Sequence, residues 1–127
     1  MSETTTRGLR IRARPSYVPE QSSPEEGRYL FAYHISIENG GNETVRLLSR
    51  HWIITDGDGD TSEVEGQGVV GEQPELQPGQ SFEYTSACPL PTPVGTMHGS
   101  FRMVTESGEQ FDALINAFTL AIPGALN

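Results

Sequence analysis

The chain contains no lysine; its eight cations are all arginines, set against seventeen acids for a net charge of −9. Without lysine there is no ammonium for a Walker-type phosphate loop and no Schiff-base nucleophile. Without a basic stripe nothing neutralises a run of phosphates, so no nucleic acid is expected as a partner. Cysteine is almost lacking too: Cys88 stands alone, which excludes an intramolecular disulfide and leaves hydrophobic burial to hold the fold. No stretch approaches the ~18 consecutive apolar residues that span a bilayer, and residues 1–14 lack the apolar run of a secretory signal. A cytoplasmic protein without a membrane partner is therefore expected. Helical periodicity is weak everywhere. At 127 residues the chain fits one domain, expected to run 1–127 with flexible ends near 1–7 and 124–127.

What the chain has is alternation. Leu9, Ile11 and Ala13 alternate with Arg10, Arg12 and Arg14, which predicts a strand with one apolar and one guanidinium face. After a polar loop over 22–27, the run 29–37 places Tyr29, Phe31, Tyr33, Ile35 and Ile37 on one face of a second strand. Asn39-Gly40-Gly41-Asn42 reads as a hairpin turn, with the chain returning through 45–55. The residues 56–60 form a second turn, followed by a short strand over 61–65. Gln77-Pro78-Gly79 carries the chemistry of a type II turn, proline at i+1 and glycine at i+2. A strand over 81–87 follows, then an extended connection in which Pro89, Pro91 and Pro93 forbid a full ladder. The last two strands, near 96–106 and 110–122, flank a tight turn at Ser107-Gly108-Glu109. About seven short strands with turns at intervals near ten residues predict an all-β, immunoglobulin/fibronectin type III-like β-sandwich, with a barrel as the alternative.

The stretches Arg28-Tyr-Leu-Phe-Ala-Tyr33, Leu48-Ser-Arg-His-Trp-Ile-Ile-Thr-Asp56, Gly66-Gln-Gly-Val-Val-Gly-Glu-Gln-Pro74, Leu76-Gln-Pro-Gly79 and Tyr84-Thr-Ser-Ala-Cys-Pro-Leu90 closely resemble the ApaG family. The resemblance covers the chain from about Arg10 to Pro123. It implies a fibronectin type III-like sandwich. It also implies an interaction role, since ApaG-like domains occur within a eukaryotic F-box protein and within a protein that interacts with a DNA polymerase. Bacterial members are linked genetically to cobalt and magnesium tolerance and lie near genes for diadenosine tetraphosphate hydrolysis. No accepted molecular activity attaches to the family.

Two motifs invite chemistry. Gly66, Gly68 and Gly71 fit G-x-G-x-x-G, in which glycines let backbone N–H groups approach a phosphate compound. The context differs from a dinucleotide fingerprint: Pro74 and another strand follow where a helix is needed, and Glu65, Glu72 and Glu75 crowd the loop. The simpler reading is a loop shaped by glycine and anchored by Val69 and Val70. Asp56, Asp58 and Asp60 alternate like the start of a loop for a divalent cation, but Thr61 and Gln67 stand where a calcium loop needs glycine and glutamate. A solvated hairpin turn is the simpler reading there. His34, His51, His98 and Cys88 have no ligand-like spacing, and the stripe of Arg10, Arg12 and Arg14 suits an edge that discourages pairing. No catalytic residue and no cofactor are expected. The leading expectation is a cytosolic, non-enzymatic interaction or ligand-binding module with a protein partner of unknown identity. Phosphate or nucleotide binding at 66–71 and divalent-cation binding at 56–60 are the alternatives.

Overall fold

The structure, a computed structural model, describes residues 1–125. Two antiparallel sheets face one another. The first has the order β1 (Ser2–Thr6), β2 (Leu9–Tyr17), β3 (Tyr29–Asn39), β7 (Ser81–Leu90). The second has the order β5 (Thr61–Gln67), β4 (Val45–Asp56), β8 (Val94–Thr105), β9 (Gln110–Ala121), and the two-residue β6 (Glu75–Leu76) also pairs with β4. The sandwich was legible in the sequence. Its core is the inward phase of each strand: Leu9, Ile11 and Ala13 from β2 and Phe31, Tyr33, Ile35 and Ile37 from β3 meet Leu47, Trp52, Met97, Phe101, Phe118 and Leu120 from the other sheet. Trp52 is the hub, with Tyr33, Phe101 and Phe118 set edge-on or tilted around it at centroid distances of 5.4, 6.2 and 5.9 Å.

Three expectations need correction. Residues 2–6 are not a flexible end: they form β1, fixed by a tight turn in which Arg7 and Gly8 both have positive φ. β1 also reaches the other sheet. β9 holds one more residue than β8 between Ile115 and Phe118, and this bulge turns Asn116 outward. The Asn116 N–H then donates to the Thr4 hydroxyl at 3.0 Å, and its carbonyl accepts from Ser2 at 2.9 Å. Of the other end expected to be flexible, Gly124 and Ala125 follow a backbone bond from Ala125 N–H to the Ile122 carbonyl, while 126–127 lie outside the described residues.

Asn39-Gly40-Gly41-Asn42 is not a hairpin turn, because β3 and β4 lie in different sheets. Neither glycine has positive φ. They are small because the β1–β2 turn packs on them: the Gly40 N–H donates to the Gly8 carbonyl at 2.8 Å, and a Cβ on Gly8 would sit 2.9 Å from Gly41 Cα. Finally, β7 runs through Pro89 to Leu90 instead of ending at 87. Proline is admissible there because β7 is the edge of its sheet. The type II turn stands as expected, with Gly79 at φ 88° and the Gln80 N–H bonded to the Gln77 carbonyl at 2.9 Å.

Candidate functional site

The two motifs expected to carry chemistry are built as turns. In the glycine loop, the Gly68 N–H donates to the Leu48 carbonyl at 2.8 Å, and Val69 and Glu72 exchange backbone bonds at 2.8 and 2.9 Å around Val70 and Gly71. These central residues have φ of 43° and 81°, the pattern of a type I′ turn. The amides of Gly68 and Val69 are therefore engaged. The nearest cation, Arg50, meets the loop from its carbonyl side, donating from Nη1 to the Gln67 and Gly68 oxygens at 3.0 and 2.9 Å. Gly66 is small because the guanidinium lies against it: a Cβ there would stand 2.8 Å from Arg50 Nη2. The loop thus offers carbonyl oxygen to a cation, which is opposite in polarity to a phosphate cradle. The core anchor is Val69 alone, at 0% exposure, while Val70 stands 54% exposed.

The Asp56 carboxylate closes the β4–β5 hairpin by accepting the N–H groups of Asp58 and Asp60 at 2.8 and 3.1 Å, with Gly59 supplying a positive φ. Asp58 and Asp60 project into solvent. His34 is engaged by Thr85 and Glu83 at 2.9 and 2.7 Å, and His51 lies 3.7 and 3.6 Å from Glu63 and Glu65 on the outer face of the second sheet. Arg10 and Arg12 pair with Glu38 and Glu3, leaving Arg14 without a carboxylate partner among the described residues on the outer face of β2.

A different site emerges from the topology. On the side of β1 and β9 the sandwich is fastened, but on the other side the edge strands β5 and β7 stand apart, and between them a cleft of about 450 Å³ runs into the core. A bulge in β4 between Leu47 and Ser49 sets what points into it. Ahead of the bulge Val45 and Leu47 face inward; past it the phase shifts, and Arg50, Trp52 and Ile54 share the inward face. β5 contributes Ser62 and Val64 opposite Ile54 and Trp52, and β7 contributes Ser86, Cys88 and Leu90. Tyr33 and Met97 form the floor, and Asp56 and Asp60 stand at the far end.

Two buried polar groups at this cleft lack a hydrogen-bond partner among the described residues. Trp52 is 2% exposed and its Nε1–H has no hydrogen-bond partner among the described residues. The Tyr84 hydroxyl, buried beside the cleft, has none either. Burial pushes the Tyr84 phenol well above its ordinary pKa, and the nearby Tyr33 adds to this, while the charge of Arg50 opposes it. Burial likewise raises Tyr33, opposed by Ser86 and Arg50. The Cys88 thiol is pushed up to about 11 by burial and stays protonated at neutral pH. Arg50 and Arg14 are the two arginines with no carboxylate partner among the described residues, and of the two only Arg50 is partly buried. Sequence reasoning centred on 66–71 and 56–60 and singled out neither Arg50 nor Trp52 as a site residue. The signal it passed over is a charged residue in phase with Trp52 and Ile54 on one strand face.

A compact all-β sandwich with one side fastened and an inter-sheet cleft on the other is the class of protein this geometry defines. Residues 19–105 match the model of the ApaG domain. The chain is 55% identical over 123 residues to Protein ApaG of Caulobacter vibrioides, covering 97% of this chain and 88% of that one. It is 54% identical to Protein ApaG of Azoarcus sp. over the full length of both. A Bordetella pertussis protein called ApaA, known from a crystal structure, superposes with a TM-score of 0.91 at 50% identity, covering 96% of this chain and 99% of that one. The chain belongs to the ApaG family. The C-terminal domain of wzt, at 9% identity and a TM-score of 0.56, shares the fold alone.

Proposed function

We propose that this ApaG-family chain is a cytosolic, non-enzymatic binding module whose ligand, or a group presented by a protein partner, enters the cleft between β5 and β7. The observation that carries this reading is Arg50, a partly buried guanidinium with no carboxylate partner among the described residues, on the same strand face as Trp52. Removing a cation from water without pairing it costs stability, so its place in a cleft fits a recognition role. The cleft volume lies within the ~300–1,000 Å³ typical of small-molecule sites, and an apolar lining with a few convergent polar groups is their usual make-up. The neutral Cys88 thiol and the raised tyrosine hydroxyls support holding a ligand over exchanging protons with it.

The test uses the single tryptophan of the chain, whose indole N–H gives one resolved signal in a proton–nitrogen correlation spectrum. In a fragment screen, hits should move that indole signal together with the amides of β5 and β7, and saturably. Hits that cluster instead on residues 66–71 or 56–60, with the indole signal unmoved, would overturn the reading in favour of one of the two turns.

A further inference from the structure

Building on the cleft as the binding site, we infer that its ligand is a monoanionic carboxylate carried on a compact apolar body, with the carboxylate held by Arg50 and the body between Val64 of β5 and Leu90 of β7. The charge pattern selects the head group. Arg50 lines the cleft, and both of its hydrogen bonds leave from Nη1 to loop carbonyls, so Nη2, which lies against Gly66 of β5, keeps its donors. Trp52 follows two residues on, with its side chain on the same face and its Nε1–H unpartnered. A carboxylate set against Nη2 gives the guanidinium the anionic partner it lacks among the described residues, its plane matching the planar guanidinium, with the Trp52 N–H on the same strand face.

One guanidinium balances one negative charge. The opposite end of the cleft carries Asp56 and Asp60, about 20 Å along β4 from Arg50 at ~3.3 Å per residue. With a net charge of −9 around it and no second cation among the described residues lining the cleft, the site disfavours a phosphate dianion. The middle of the cleft selects the rest of the ligand. Ile54, Val64, Leu90 and Met97 offer apolar surface, and Val64, 40% exposed, leaves it open to an incoming ring or branched chain.

The experiment titrates the full chain with matched pairs: benzoate, 2-naphthoate and 4-methylpentanoate, each beside its primary amide, with phenyl phosphate and inorganic phosphate added. Calorimetry gives affinity and the Trp52 indole signal gives location. The acids should move the indole signal and bind about tenfold or more tighter than their amides, the difference expected of a charge-assisted hydrogen bond. Arg50→Gln should erase that preference, with its melting curve recorded to establish folding; the acid–amide comparison on the unaltered chain holds whether or not the variant folds. Amides equal to acids, or phenyl phosphate tighter than benzoate, would refute the carboxylate while leaving the cleft as the site. Failure of every compound to move the indole signal would refute both.

Discussion

Val70 is a β-branched residue held at φ 43°, 54% exposed, in the first central position of the turn that closes the glycine loop. The left-handed region costs an L-residue about 1–2 kcal/mol, and branching at Cβ places valine at the upper end. Asparagine adopts this region readily and is favoured in type I′ turns. Replacing Val70 by asparagine removes most of that cost and loses little burial, about 0.5 kcal/mol for the half-covered side chain. Val70→Asn should therefore stabilise the fold by about 1 kcal/mol. For a chain of this length the unfolding entropy is about 0.27 kcal/mol/K, so the melting temperature should rise by about 4 °C. Calorimetry reads the shift directly, and a urea titration should show a higher midpoint with an unchanged slope. A melting temperature that stays put or falls would show that contacts of the valine outweigh its backbone strain. Val69→Ala is the counterpart: at 0% exposure its truncation should cost about 2 kcal/mol in the same loop.

Gly68→Ala should destabilise by about 3 kcal/mol or more, because its Cβ would fall 2.2 Å from the Glu72 carbonyl oxygen at a φ of 62°; a stable variant in urea titration would contradict the loop geometry. Glu43 accepts the Ser107 hydroxyl and N–H at 2.8 and 3.2 Å, and those bonds hold its carboxyl below the ordinary glutamate pKa. Its folded pKa is the lower one, so the ionised group stabilises the fold above the unfolded value, and that contribution is lost as pH falls through the folded value. The stability gap between the parent and Glu43→Gln should thus be open at neutral pH and close in acid; a gap independent of pH would refute the assignment. Asp56→Ala should cost about 1 kcal/mol by freeing two backbone N–H groups, whereas alanine at Asp58 or Asp60 should be close to neutral, with or without magnesium. A magnesium-dependent rise in melting temperature that these variants abolish would restore the divalent-cation reading.

The parts of the fold that sequence made legible are those whose cause is local. The alternation of Leu9, Ile11 and Ala13, the aromatic face of β3 and the Pro78-Gly79 turn each declare themselves within a few residues. The parts that escaped depend on a distant partner. Ser2–Thr6 carries no apolar alternation, and it becomes a strand because β2 lies beside it and Asn116 meets it from the other sheet. Gly40 and Gly41 look like turn residues, yet their size answers to Gly8 more than thirty positions earlier. The cleft was hidden for a third reason. A bulge of one residue at Leu48 decides whether Arg50 or Ser49 faces inward, and nothing in the local residue types announces it.

The fastening of β1 to β9 makes the molecule mechanically one-sided, like a book bound along its spine. Among the described residues no hydrogen bond joins β5 to β7, so the least costly distortion is a small splay of the two leaves about the β1–β9 binding. Such a splay widens the fore-edge, where Trp52 and Val64 stand, while leaving Phe101 and Phe118, on the strands nearer the hinge line, less disturbed. Backbone amides of β5 and β7 then exchange with solvent ahead of those of β8 and β3. Anything wedged between the leaves works against that elastic opening, and anything that loosens the spine, such as loss of Asn116, alters how wide the fore-edge stands without touching a residue that lines it.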